Sequence, residues 1–462
     1  MKKVKIGVVI TARDVFPPRE YAKKNAELIK AKLDEIFAQM PHVEVVWGTD
    51  KCDDGMVTEL DEIARVTNYF IDERVDALFV PHANFGQEEA VGMIASKLRV
   101  PTLIWGPRDG DKDPAEEAHL RDYDTQCGLF ATTRMLMRSG LPYTYLRNCW
   151  LDSPELAEGI DKFVRVAMIV KQFRDMRVLQ LSTRPRQFNS VKVNEGELME
   201  KFGMQIVPIE SQEIIRTVDK FIEQNDDAEA ILKDLDAMDA SYINVDEEAR
   251  KKMAALICAI RFLAEKYQCT TVASDCWSLI GSHYGIACCF AFGYLSGLNI
   301  PTACETDIHG AVSAILAQAS TLYECPSFLA DITIRHPYND NAELLWHCGP
   351  FPLSQKAESG IDSTARLVNQ RSWFRACDGA YTVARIDQES GKYMVLPLLC
   401  NTTEGPQTHG TYIWAEFEDL QKVEDRLLDG PYIHHFVEMK GDYRKEIKEF
   451  CKYFPNLTVD SV

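Results

Sequence analysis

Short apolar segments alternate with longer amphipathic ones over the first third of the chain. Runs such as "VKIGVVIT", "VEVVWGT", "DALFVPH" and "PTLIWG" have the length of single strands, whereas "YAKKNAELIKAKLDEIFAQM" repeats its apolar residues at helical spacing. Strands and helices in strict succession predict parallel strands joined by crossover helices. We therefore expect a doubly wound parallel-sheet α/β domain over residues 1–174, closed by a long helix.

The alternation starts again at "RVLQLS" and stops after the helical segment "HGAVSAILAQAST". Beyond it, strands such as "SFLADITI", "ELLWHCG", "KYMVLPLL" and "IHHFVEM" follow one another without long helices between them. This pattern predicts a second doubly wound parallel-sheet α/β domain over residues 175–324. A mostly antiparallel β C-terminal domain, as a sheet or small barrel, is expected over residues 325–462.

Composition and charge exclude several classes of partner. Hydrophobic residues make up 46% of the chain, as in a folded globular protein, and the formal net charge of −19 opposes binding to a phosphate backbone. No apolar run approaches the roughly 20 residues that span a bilayer. We therefore expect a cytoplasmic protein that binds neither nucleic acid nor a membrane.

Motifs for common cofactors and nucleophiles are absent from the sequence. The 14 cysteines are scattered and form no C-x-x-C pair, which favours reduced thiols over a cysteine zinc site. No Gly-rich dinucleotide or triphosphate loop and no G-x-S-x-G segment occurs. The chemistry must come from other residues.

Acids and histidines collect in the last third of the chain. Glu305, in "PTACETDIHGAV", lies where a strand gives way to a helix, and Asp331 lies inside an otherwise apolar strand. A carboxylate in an apolar strand costs free energy unless it is paired or metal-bound. His347 ends another strand, and the neighbours His434 and His435 must point to opposite faces of theirs, so that only one can enter a given site.

Each of these residues also has an ordinary explanation. Glu305 and Asp307 fit the start of a helix, where the macrodipole favours acids, and a lone His347 fits a satisfied core position. Together, two carboxylates with one or two histidines form an oxygen-rich set that suits Mn²⁺ or Mg²⁺.

The order and surroundings of these residues resemble the L-fucose isomerase and L-arabinose isomerase family, with this chain as a short fucose-isomerase-like member. The resemblance is clearest in "DCWSLIGSHYGIACCFAFGYLSGLNIPTACETDIHGAVSAIL", "FLADI" and "IHHFVEMKGDYRKEIKEFCKYFPNLTV". It implies a three-domain architecture and a homo-oligomer, a hexamer or trimer, with shared active sites. It also implies that Glu305, Asp331 and His435 bind Mn²⁺, with Mg²⁺ or Co²⁺ as alternatives.

The activity that the resemblance implies is that of an intramolecular oxidoreductase in carbohydrate metabolism. Such an aldose–ketose isomerase moves a hydrogen between neighbouring carbons of a monosaccharide through an enediol. Glu305 and Asp331 are then also the catalytic acids, and which of them removes the proton is left open. His347 matches an additional histidine of the arabinose branch, whereas an Asp at 331 follows the fucose branch, so the chain combines features of both. The match implies that His347 supports either the metal or a substrate oxygen.

Substrate contacts are expected from strand-end loops of the first domain and from two tryptophans. The candidates are Arg13, Asn84, Gln87 and Glu88, with Trp277 or Trp414 offering an apolar face. Arg13 and Arg19 share one loop and could clamp an anionic group, although surface ion pairs explain them as well. The alternatives to a neutral sugar isomerase are therefore an isomerase of an anionic sugar such as sulfoquinovose, a non-catalytic sugar-binding protein, and a metal-dependent lyase or epimerase.

Overall fold

The structure is a computed structural model that describes residues 2–14, 19–110, 123–223, 226–237, 240–360 and 362–462. The chain divides into two compact units, Met1–Lys171 and Gln172–Val462. The boundaries expected at residues 174 and 324 stay predictions.

The N-terminal unit is built on a five-stranded parallel sheet with the strand order β2-β1-β3-β4-β5. Its elements are β1 (Val4–Val8), α1 (Arg19–Ala38), β2 (Val43–Trp47), α2 (Leu60–Asp72), β3 (Ala77–Pro81), α3 (Glu88–Leu98), β4 (Thr102–Trp105), α4 (Thr125–Arg138), β5 (Thr144–Tyr145) and α5 (Pro154–Phe173). Every residue of β3 and β4 is buried, as expected of central parallel strands that are covered on both faces. The strand and helix succession expected for this segment is confirmed.

The second unit begins with a four-stranded parallel sheet of order β10-β9-β6-β7. The elements of this part are β6 (Arg177–Leu181), α6 (Glu195–Phe202), β7 (Gln205–Ile209), α7 (Ser211–Glu223), α8 (Asp226–Ala237), β8 (Ala240–Ile243), α9 (Glu247–Lys266), β9 (Thr271–Ser274), α10 (Leu279–Tyr284), α11 (Cys289–Gly297), β10 (Thr302–Ala303) and α12 (Ile308–Ser320). The sequence pattern did not predict β8. This strand is not part of the four-stranded sheet but pairs in parallel with a strand of the C-terminal sheet.

A ten-stranded sheet forms the rest of the unit. It contains β8 and the elements β11 (Phe328–Arg335), β12 (Ala342–His347), β13 (Ala365–Val368), β14 (Arg371–Arg375), β15 (Ala380–Glu389), β16 (Lys392–Thr403), β17 (Thr411–Phe417), α13 (Leu420–Asp429), β18 (His435–Lys440), α14 (Arg444–Cys451) and β19 (Leu457–Val459). Six antiparallel strands, β16-β15-β18-β11-β12-β17, close into a barrel because β16 also pairs with β17. The antiparallel C-terminal architecture is thus confirmed, in its barrel form.

Helix α12 joins the parallel sheet to the barrel. It packs against β9 and also against β15 and β18, and all of its residues are buried. A mostly apolar helix that is buried on every side is stable only when other elements surround it completely. This packing fixes the segment just before α12, which carries Glu305, against the barrel strands that carry Asp331 and His435.

No helix in the described part of the chain combines the length and the apolar character that crossing a membrane requires.

Candidate active site

Glu305 lies between β10 and α12 in an unusual backbone conformation. Its φ is +53° and that of Thr306 is +55°, so two consecutive non-glycine residues occupy the left-handed region. Such positions cost about 1 to 3 kcal/mol each and are concentrated at functional sites. The buried carboxylate accepts a hydrogen bond at Oε1 from the Trp277 indole Nε1, at 3.0 Å, while Oε2 has no hydrogen-bond partner in the described part of the chain.

Asp331 and His435 face each other on adjacent antiparallel strands. They form a directly opposed pair of β11 and β18, and Asp331 Oδ1 lies 3.4 Å from His435 Nε2. The same Nε2 is 3.6 Å from Glu305 Oε2. His435 is buried inside this cluster, whereas the exposed His434 lies at its edge, with a ring nitrogen within 4.8 Å of the ligand atoms of Asp331 and His435.

The orientation of His435 is set by a buried carboxylate. Its Nδ1 lies 2.9 Å from Oδ2 of Asp307, which accepts, so Nδ1 carries a proton and, in a neutral ring, the lone pair of Nε2 faces Glu305 and Asp331. Burial alone would raise the pKa of Asp307, but Arg385 and His435 hold that pKa far below its ordinary value. Asp307 also accepts from the Gly310 backbone N–H as the N-cap of α12.

Arg385 extends this network through the interior. Its Nη1 donates to Asp307 Oδ2 at 2.7 Å and its Nε donates to Asp387 Oδ2 at 2.7 Å. Asp387 in turn lies 3.0 Å from Nδ1 of His309. The sequence interpretation assigned no role to Arg385 or Asp387, although a charged residue in the apolar strand "YTVARI" carries the same signal that singled out Asp331.

His347 is held differently from His435. The Cys348 backbone N–H donates to its Nδ1 at 2.9 Å, so a neutral ring must carry its proton on Nε2. Burial lowers the pKa of His347, but Asp331, Cys348 and Glu305 together outweigh burial and raise the pKa well above its ordinary value. In either protonation state Nε2 is a donor, and it lies 3.8 Å from Glu305 Oε2.

The electrostatics keep Glu305 ionised. Burial would raise its pKa, but the neighbouring His347 and His435 and the Trp277 N–H lower the pKa to about 2. A carboxylate with so low a pKa is negatively charged at every physiological pH. It can act as a ligand for a cation or as an acceptor of hydrogen bonds from a substrate.

The donor set fits a divalent cation. Three buried polar atoms, Glu305 Oε2, Asp331 Oδ1 and His347 Nε2, lack hydrogen-bond partners among the described residues. Glu305, His347 and His435 offer atoms within 4.8 Å of one another, and Asp331, His434 and His435 do the same. Unpartnered buried oxygens are costly, and two carboxylates beside one imidazole lone pair suit Mn²⁺ or Mg²⁺. The metal itself stays a prediction.

Aromatic side chains line one side of the cluster. Trp277 is 55% exposed and stacks on Phe188, with ring centroids 6.0 Å apart and planes at 10°. Phe188 also stacks on His434 and meets His435 edge-on. Trp277 was expected to offer an apolar face, and in the structure its indole N–H also donates a hydrogen bond to Glu305. Phe188, in the loop "RPRQFNS", carried no sequence signal.

The other expected substrate contacts have different surroundings. Trp414 is buried, and its indole N–H donates to the Pro406 carbonyl. In the N-terminal unit, Asn84 exchanges hydrogen bonds with both the backbone N–H and the carbonyl of Arg13, and Arg13 lies 3.7 Å from Glu88. The Gln87 backbone N–H donates to Thr11 Oγ1. Substrate contact by any of these residues stays a prediction.

Comparison with known proteins points to one group. Residues 7–174 match the family model described as "Fucose/sulfoquinovose isomerase, N-terminal domain". A protein named sulfoquinovose isomerase from Alkalicoccus urumqiensis is 23% identical over 394 residues, covering 83% of this chain and 85% of the relative. A protein of the same name from Priestia megaterium is 21% identical over 443 residues, or 94% of each chain. These matches confirm the resemblance seen in the sequence and the prediction of an aldose–ketose isomerase.

A solved structure adds little to this comparison. A solute-binding protein from Agrobacterium vitis with bound D-fucose is 12% identical and covers 59% of this chain and 76% of its own, with a TM-score of 0.16. A superposition of that quality carries no argument about fold or ligand.

The lowered pKa of Glu305 predicts how metal-free stability depends on pH. Since the folded pKa of about 2 lies below the ordinary 4.5, ionisation of Glu305 stabilises the fold above pH 4.5, and this effect is lost as the pH falls toward 2. The free energy of unfolding is measured in urea at about pH 6 and about pH 3.5. We expect it to fall between these pH values in both proteins, and the fall in Glu305→Gln to be about 1 kcal/mol smaller than that in the wild type.

Glu343→Gln is the matched control for this measurement. Glu343 is also buried, but burial raises its pKa to about 7, so its loss must make the fall larger. Equal falls in the wild type and Glu305→Gln would contradict the assignment.

Proposed function

We propose that the chain is a metal-dependent aldose–ketose isomerase whose substrate is an anionic sugar of the sulfoquinovose type. The observation that carries the proposal is the convergence of unpartnered Glu305 and Asp331 oxygens on the oriented Nε2 of His435. The sulfonated sugar comes from the names of the relatives. It takes the place of the neutral L-fucose or L-arabinose that the sequence resemblance suggested first.

The residues divide into those that hold a cation and those that face the sugar. Glu305, Asp331 and His435 would hold the cation, which, when bound, stabilises the negative charge that develops on the two reacting sugar oxygens. In His347, Nδ1 accepts from the Cys348 backbone N–H, which favours a proton on Nε2 over a lone pair for the cation. We therefore assign His347 to the sugar, where Nε2 donates to a substrate oxygen.

Isomerisation moves a hydrogen from C2 of the aldose to C1 of the ketose. In the enediol route, a base removes the proton from C2 while a neighbouring group donates a hydrogen bond or a proton to the carbonyl oxygen at C1. Proton transfers of this kind typically contribute about 10²- to 10⁴-fold to the rate. Asp331 is the less buried of the two acids, at 18% side-chain exposure against 8% for Glu305. We assign Asp331 as the residue that moves the proton, with Glu305 kept ionised beside it. The wall of Trp277 and Phe188 would cover the sugar and exclude water.

Metal content separates the two histidines. His435→Gln is expected to lower the affinity for Mn²⁺ by more than about 100-fold. Loss of a group that only hydrogen-bonds to a metal ligand typically lowers metal affinity by about 10- to 100-fold, and this variant removes the ligand itself. His347→Gln should keep one Mn²⁺ per chain while kcat falls. Mn²⁺ bound to the folded variants, measured by electron paramagnetic resonance titration, checks both. Loss of Mn²⁺ in His347→Gln would show that this histidine is a ligand.

Turnover in heavy water tests the reaction. With Mn²⁺, sulfoquinovose is expected to give the ketose with deuterium at C1, and chelation should abolish turnover. Glu305→Gln and Asp331→Asn should each lower kcat at least about 10²-fold, while Glu343→Gln, a buried acid outside the cluster, stays within about twofold of the wild type. Recovery of a C2 epimer or a cleaved sugar in place of the ketose would replace the proposal with an epimerase or a lyase.

A further inference from the structure

A cavity of about 460 Å³ opens beside the candidate active site, in the second unit. Its wall includes Cys276 and Trp277. Both contact the same carboxylate oxygen, Glu305 Oε1, from 3.6 Å and 3.0 Å respectively. The cavity therefore begins one side chain away from the acid at which the reacting end of a sugar would bind, and its volume suits a small ligand.

The charge of the cavity wall is opposite to that of the protein. The chain carries a net charge of −19, yet among the described residues no Asp or Glu lines this cavity, and Arg371 is the one Lys or Arg in its wall. Asn369 and Gln370 lie beside it in the wall, and the Gln370 side-chain amide accepts from the Ala287 N–H and donates to the Asn244 carbonyl. An acid-free wall with a single guanidinium favours a ligand that carries one negative charge.

Arg371 has no carboxylate partner within the described ranges, unlike the arginines that the sequence suggested for the same task. Arg19 is paired with Asp14 and Asp54, and Arg13 lies 3.7 Å from Glu88. An arginine that is already paired with carboxylates must release them before it can bind another anion. The planar guanidinium of Arg371 has no such pair to break.

One thiol in the wall has a tendency to ionise. The hydrogen bond from the Cys289 thiol and the nearby His347 lower the pKa of Cys348 to about 5, against the effect of burial. Its Sγ lies 3.3 Å from His347 Nδ1, so a thiolate at Cys348 would pair with the protonated ring of His347.

The turn that carries Arg371 is strained and tied down. Asn369 and Gln370, between β13 and β14, have φ values of +49° and +60°, a pair of left-handed residues for which a two-residue hairpin normally uses glycine. The Gln370 side chain accepts from the Ala287 backbone N–H, and its carbonyl accepts from Phe290 N, both at 3.3 Å. Strain that is held in place by the surrounding structure is typical of binding sites, and here it fixes the start of β14 against the cavity.

We propose that this cavity binds the anionic end of the sugar, with Arg371 paired to the sulfonate and Asn369 and Gln370 in the wall beside it. The proposal rests on the proposed isomerase function and names the part of that site which selects the substrate. A sulfonate offers three acceptor oxygens to the fork of Arg371, and Trp277 lies between the two ends of the sugar. A neutral hexose would leave the guanidinium without its partner, which is how a site rejects an analogue that lacks one charged group.

Kinetics on two substrates test the proposal in the full-length protein with Mn²⁺. Arg371→Met should raise KM for sulfoquinovose by about 10- to 100-fold, the worth of a charged hydrogen-bonded pair, with kcat changed little. Turnover of D-glucose, the same sugar with a hydroxyl in place of the sulfonate, should stay within about twofold. Arg371→Lys should recover part of the loss. The matched control is Arg444→Met, an exposed arginine paired with Asp442, which should leave KM for both sugars unchanged. Arg13→Met is made beside it, because the sequence named Arg13 as an alternative anion contact.

Two results would overturn the subsite. One is an unchanged KM for sulfoquinovose in Arg371→Met, and the other is an equal loss on both sugars. A selective loss in Arg13→Met alone would move the anion to the N-terminal unit.

Failure of the proposed isomerase function gives a different result. If the wild type isomerises neither sugar, calorimetric binding of sulfoquinovose decides the subsite by itself. Binding that weakens at least tenfold in Arg371→Met and not in the Arg444→Met control supports the anion subsite, and equal binding rejects it.

Discussion

The site depends on one buried interaction, the contact of Arg385 and His435 with the carboxylate of Asp307. Arg385 and Asp307 are each only 1% exposed at the side chain, so their desolvation is repaid only while the pair stays intact and fully hydrogen-bonded. The same carboxylate caps α12 and holds Nδ1 of His435. One group therefore links the helix to two barrel strands and determines which nitrogen of His435 faces the acids.

The fold assembles the remaining groups around that nitrogen. Glu305 comes from the end of the parallel sheet, while Asp331 and His347 come from adjacent strands of the barrel. Because α12 packs against both sheets, residues far apart in sequence meet at its N-terminus. The left-handed backbone at Glu305 and Thr306 is the local cost of turning the chain from β10 into α12 while keeping the carboxylate inside.

The sequence could predict what depends on periodicity and on the cost of buried charge. Alternating apolar strands and helices indicated the parallel sheets, and an acid in an apolar strand singled out Asp331. It could not predict the role of Asp307, because its partner Arg385 lies 78 positions away in the chain. It could not find the cavity beside Arg371 either, since that cavity depends on a hairpin turn tied to a distant helix. Arg13 and Arg19 attracted attention through their spacing, but in the structure carboxylates stand beside both.

The central claim is that the oriented Nε2 of His435 and the oxygens of Glu305 and Asp331 bind one cation, while His347 stays a donor. A crystal structure of the Mn²⁺-loaded protein tests it most directly. The account predicts a single strong anomalous peak bonded to those three side chains, with His435 Nδ1 still on Asp307 and His347 Nε2 on a water or sugar oxygen. A cation bound through His347 in place of Asp331, or a peak away from His435, would contradict it.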